Sequence, residues 1–193
     1  MDLATVLANV KAKLDIASAD TTFDTYLEEC IEQAFPRLSP FLQYQLPEDE
    51  TTVLATGDDT FDLPEAGSKL ERMYFQTTAN DVWREVDLWR QHRDTIYLTE
   101  NVNTATTVKI IAHRPFISDD IAELATDYPA SLLPLYLFTM SEFAMFLVGN
   151  KRKFNIYQQM NGSRTLDEMK DLTQFYEERA VRILEDEISS EGQ

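Results

Sequence analysis

The stretch LLPLYLFTMSEFAMFLV, residues 132–148, decides how the chain is read. It is apolar almost all the way round a helical wheel, interrupted chiefly by Pro134, Thr139, Ser141 and Glu142. A helix without a polar face has to be surrounded, so this one is expected at the centre of a helical bundle. A membrane span is the rival reading, but the run is at the short limit for one and carries Glu142 near its middle. Lys151-Arg152-Lys153 is expected to end the helix, because cations suit a helix C-terminus.

Working outward, the partners of that helix are visible as amphipathic stripes. Leu3, Val6, Leu7, Val10 and Leu14 recur at helical spacing. A second helix is expected from about Asp24, with Leu27, Cys30, Ile31 and Ala34 on one face, stopping at Pro36. Ser39-Pro40 reads as the cap and first residue of a short helical turn through Tyr44. Towards the C-terminus, Thr165-Leu166-Asp167-Glu168 has the capping-box pattern. It opens a long helix with the stripe Leu166, Met169, Leu172, Thr173, Tyr176, Ala180, Ile183, Leu184 and Ile188.

Between these helical segments the period changes to two. Residues 51–56, 60–63, 70–78, 82–89, 95–99 and 106–113 read as strands, parted by polar turns such as Gly57-Asp58-Asp59. The expected fold is therefore α+β: a bundle of about four helices from residues 1–50 and 115–193, with an inserted small antiparallel β domain over 51–114.

Residue types that carry chemistry are sparse. Cys30 is the one cysteine, so no internal disulfide forms, and it reads as a small packed side chain. His92 and His113 fall on different strand-like segments with no further ligand at metal spacing. Five glycines are scattered without forming a phosphate-binding loop. Asp58-Asp59 and Asp119-Asp120 fit the polar turns they occupy. No catalytic, cofactor or metal residue is expected, and the chain does not read as an enzyme. Two aromatic groups stand out. Trp83 and Trp89 are expected on one face of a single strand, suited to stacking or to cross-strand packing. Phe154 and Tyr157 follow Lys151, Arg152 and Lys153 at helical spacing, a basic-aromatic patch for a phosphate backbone or an acidic neighbour, or else a helix end with a packed aromatic face.

Acidic residues outnumber basic ones 34 to 17, for a net charge of −17. Phosphate-binding surfaces need basic faces, so a general nucleic-acid-binding surface is excluded while a local patch stays open. The start, Met1-Asp2-Leu3-Ala4-Thr5, has no basic region followed by an apolar run, and no export signal is expected.

Together, two N-terminal helices, a β block with Asp59-Thr60-Phe61-Asp62-Leu63-Pro64, and strands around Ile96-Tyr97-Leu98 and Val108-Lys109-Ile110-Ile111 form a recognisable series. It continues through Leu133-Pro134 into an aromatic-rich apolar helix and a final helix. This series resembles the head-to-tail adaptor (connector) proteins of tailed bacteriophages, the tail tubular protein A or gatekeeper group. The resemblance implies a structural virion protein without catalysis or cofactor. It implies a homo-oligomeric ring of about twelve copies, set between the portal protein and a tail tube, nozzle or neck protein. DNA would pass through without specific binding, and carboxylates on the conduit wall would repel it. The implied location is the head–tail neck, assembled in the host cytoplasm, with no membrane partner. By the same analogy, portal contact falls on the C-terminal helix with Glu177, Arg182, Glu185 and Ile188, and tail contact on the β domain with Trp83 and Trp89. Two alternatives stand beside this reading: an acidic DNA mimic or host-takeover inhibitor, and a small enzyme with a scattered acidic site that includes Glu142.

Overall fold

A computed structural model describes the chain except residues 47–50, 66, 79–81, 162–163 and 192–193, and excepting also the side chains of 51 and 187–191. The fold is α+β, and the chain divides into two compact units, Met1–Leu42 with Phe116–Gln193 and Gln43–Pro115.

In the helical unit, α1 (Leu3–Lys13) is capped by the Asp2 carboxylate, which accepts from the Thr5 backbone N–H at 2.9 Å. Lys11 is buried because its ammonium donates to the carbonyls of Ser18 and Asp20 and to the Asp24 carboxylate at 2.7 Å, tying down the following loop. The next helix, α2 (Asp24–Leu38), does not stop at Pro36. It runs two residues further, since a proline in the last turn forfeits only one ladder bond and the end closes by Ser39 N–H donating back to the Pro36 carbonyl.

The remaining helices are α3 (Ile121–Asp127), α4 (Leu132–Gly149), α5 (Lys151–Asn161) and α6 (Leu166–Glu191). That makes six among the described residues where about four were expected. α5 is an addition, and α3 falls where the sequence suggests a short helical turn around Asp119–Leu124. Lys151-Arg152-Lys153 opens α5 instead of closing α4, because Asn150 lies between them with non-helical backbone and its side-chain oxygen accepts from Lys153 N–H at 3.1 Å. A side-chain cap at this position starts a new helix whatever the charges that follow.

α4 packs against both α2 and α6. Leu135, Phe138, Phe143, Ala144 and Leu147 are at most 1% exposed. Phe143 meets Phe23 edge-on at 5.5 Å and Tyr157 at 5.8 Å. The segment Pro129–Gly149 has the length and hydropathy of a membrane span, yet 61% of its most apolar window is covered within the unit.

The second unit holds two antiparallel sheets. β8 (Thr106–Arg114) is central in the larger one: β1 (Tyr44–Gln45) and β2 (Thr51–Leu54) share one edge of it, and β4 (Lys69–Gln76) pairs on the other, followed by β5 (Arg84–Glu85). The smaller sheet is β3 (Thr60–Asp62), β7 (Thr95–Leu98) and β6 (Trp89–His92). Tyr44 thus enters a strand and not the expected helical turn, because Tyr44 and Gln45 lie opposite Arg114 and His113. β8 buries every second side chain, Val108, Ile110 and Ala112 among them, and these join Met73 and Ile96 in one core drawn from both sheets.

The alternating stretch 82–89 is not one strand. Arg84–Glu85 pairs with β4, Val86 N–H donates to the Met73 carbonyl, and the chain then crosses to the other sheet, where Trp89 lies opposite Leu98. Alternation of side chains reports two-sided environments and does not report which neighbour a strand pairs with.

Phe143→Ala is expected to lower unfolding free energy by about 3–5 kcal/mol in urea titrations, since the ring is fully enclosed. Phe146→Ala should cost about 1–2 kcal/mol, because that ring is half-buried and stacked on Tyr26 at 4.6 Å.

Candidate functional site

The longest element, α6, is fixed at its start by a reciprocal capping box. The Thr165 hydroxyl accepts from Glu168 N–H at 3.2 Å, and the Glu168 carboxylate accepts from Thr165 N–H at 2.6 Å. Met169, Ala180 and Leu184 turn inward onto the unit. The Ser141 hydroxyl on α4 donates to the Thr173 carbonyl at 3.1 Å, pinning the two helices in register.

The expected portal-facing residues separate on this frame. Arg182 and Glu185 stand exposed on α6, whereas Glu177 is engaged inside the unit and the Ile188 side chain lies outside the described residues. Glu177 is held by Arg37, whose guanidinium also donates to Glu142 at 2.7 Å and lies 4.7 Å from the Phe138 ring centroid. One arginine therefore links α2, α4 and α6. Glu142 is engaged by this ion pair and also borders a cavity of about 220 Å³ with Tyr26, Glu29, Cys30 and Phe146. Sequence reasoning missed Arg37; its one signal was a cation placed directly after the proline of an acidic helix.

The basic-aromatic patch also divides. Phe154 and Tyr157 are buried, with the Tyr157 hydroxyl donating to the Leu14 carbonyl at 3.2 Å. Lys151 and Arg152 point to solvent, and Lys153 lies 4.6 Å over Tyr26. This is a helix start with a packed aromatic face, leaving two solvent-facing cations. Trp83 and Trp89 are both half-buried, but Trp83 precedes β5 of the larger sheet without belonging to a strand, whereas Trp89 opens β6 of the smaller one and packs on the β core.

A cavity of about 340 Å³ opens in the β unit between Phe75, Val86, Leu88, Leu98, Val102 and Thr106. Glu100 is the single charged residue among those lining it, beside Thr77, Thr99, Thr104 and Thr106. Among the described residues no group of three His, Cys, Asp or Glu side chains could hold a metal ion. Cys30 is buried, and its thiol is pushed up to about 12, first by desolvation and then by the negative charges of Glu142 and Glu29.

One accessible and chemically marked surface is the outer face of α6. Its centre is Phe175, an apolar residue outside the expected stripe and 51% exposed. Periodicity already separates it from Leu172 and Tyr176, since it falls on the polar side of the wheel.

Two substitutions check the interior of this site. Arg37→Met should destabilise by about 2–3 kcal/mol, below the cost of breaking a fully buried pair because Glu177 is partly solvated. The Cys30 thiol should react about 1,000-fold more slowly with a disulfide reagent in the native protein than in urea at pH 8, the native thiolate being that much scarcer. Its sign in stability is fixed as well: the contribution is intact below pH 9 and is lost as pH rises towards about 12, where only the unfolded chain has already released the proton.

No protein-family model matches the chain, and no curated protein matches it.

Proposed function

We propose that the chain is a structural head-to-tail adaptor of a tailed-phage virion, docking in several copies between a portal protein and a tail tube, nozzle or neck protein. The observation that carries the reading is the presence of two separately cored units on one short chain. An adaptor must meet two different partners, and two cores provide two surfaces that can be shaped independently. The helical unit offers the charged outer face of α6, with Arg182 and Glu185 exposed near its end. The β unit offers exposed Val53, Leu88 and Tyr97.

The net charge of −17 supports the same reading, because carboxylates along a conduit repel passing DNA. Docking on a symmetric portal needs little affinity per copy, since neighbouring copies raise one another's effective concentration. The proposed location is the neck of the virion, reached after assembly in the host cytoplasm, with no cofactor and no chemistry.

Deleting residues 185–193 tests the assignment. Leu184 is the last buried side chain described, so the truncated chain should melt within a few degrees of the full one. Its co-sedimentation with portal-bearing, DNA-filled heads should fall at least about ten-fold. A full-length chain that does not sediment with such heads sinks the adaptor reading. A truncated chain that still attaches moves the portal contact off the end of α6.

A further inference from the structure

The outer face of α6 carries a stripe whose charges are ordered. Glu168, Asp171, Phe175, Arg179, Arg182 and Asp186 follow one another in steps of 3, 4, 4, 3 and 4, the spacing of one side of a helix, and Arg164, two residues before α6 begins, stands beside Glu168 and Asp171 at the start of this stripe. Phe175 is at the centre, and a shallow groove opens on each side of it, one among Arg164, Glu168 and Asp171, the other among Arg179, Arg182 and Asp186. Reversing the stripe about Phe175 lays Arg164 on Asp186, Glu168 on Arg182 and Asp171 on Arg179. Every charge then meets its opposite.

We propose that this stripe is a self-complementary docking surface, and that its occupant is α6 of a second copy of the chain, running antiparallel about a two-fold axis at Phe175. Parallel pairing in register would set each charge against its own kind, so the order of charges selects the antiparallel arrangement. The stripe is also locally neutral, with three basic and three acidic members on a chain of net charge −17. Two such chains repel over most of their surfaces, and this is a place where they can approach. Asp171, Arg179, Arg182 and Asp186 have no ion-pair partner within the chain among the described residues, so their pairing capacity is unspent. Glu178, which borders the second groove, is turned aside by Gln174, whose amide donates to it at 2.7 Å. At the centre, the two Phe175 rings supply the apolar contact.

The contact is small. From Glu168 to Asp186 the stripe extends about 27 Å along the helix, and a single helix pair stays near the lower limit of about 1,000 Å² for specific association. A micromolar, salt-weakened dimer is the expected strength.

Sedimentation velocity on the purified full-length chain, over a concentration series into the high micromolar range, tests the proposal. The wild type should pass from monomer to dimer. Arg179→Glu and Asp171→Arg each place two like-charge contacts in the pair and should each weaken it about ten-fold or more. Both side chains are exposed, so matching thermal melts are expected. An equimolar mixture of the two variants restores every opposite-charge contact and should associate as tightly as wild type. Phe175→Ala should weaken the dimer without any partner that rescues it. A wild type that stays monomeric overturns the proposal, as does a dimer indifferent to both reversals or a mixture that fails to associate. No portal enters this experiment, so its failure and that of the adaptor reading are read separately.

Discussion

The helical unit depends on the need to cover most of the surface of α4. An 18-residue helix with almost no polar face is stable in water only when other helices replace the solvent around it. α2 and α6 take the two largest shares of that surface, and α1 and α5 add smaller ones. The few polar side chains on α4 mark how it is held. Thr139 returns its hydroxyl to the Leu135 carbonyl, Ser141 reaches the backbone of α6, and Glu142 takes Arg37 from α2. Pro134 falls in the first turn, where its missing N–H has no ladder bond to forfeit. Each interruption in the apolar run is thus either neutral to the helix or a point of attachment for a neighbour.

This explains what could be read from the chain and what could not. The enclosed helix, its amphipathic partners and the block of strands are all expressed as local periodicities, so their existence and kind were legible in residues 3–14, 132–148 and 106–113. Choices between neighbours were not. Residues 82–89 keep a period of two while their pairing partner changes from β4 to β7, and nothing local records the exchange. Tyr44 and Gln45 are too few to show a period, and they become a strand only because β8 offers them an open edge. At Lys151 the charge rule for helix ends pointed one way and a single asparagine cap the other; the cap prevailed because it satisfies a specific N–H donor.

The candidate site was legible in part for the same reason. Arg182 and Glu185 are outward because the α6 stripe fixes which positions face in, and that stripe is readable. Glu177 is one position beyond the inward residue Tyr176, close enough to the seam for Arg37 to reach it. Arg37 itself belongs to a different helix, and pairing across helices is a property of packing. The surplus residue, Phe175, was visible all along as an apolar side chain on the wrong face of the wheel.

The proposed pair of chains joined through α6 and the proposed ring of chains on a portal make different demands on that helix. An isologous contact closes on itself and satisfies the stripe of both copies at once, so it supplies no open surface from which a ring can grow. Ring contacts must then use other faces, or else the pair must open when a portal competes for Arg182 and its neighbours. The small extent of the helix pair favours the second course, because one weak two-fold contact yields readily to many simultaneous contacts on a symmetric template. An α6 stripe covered in the free chain and uncovered on docking would keep subunits of like charge from assembling anywhere except on that template.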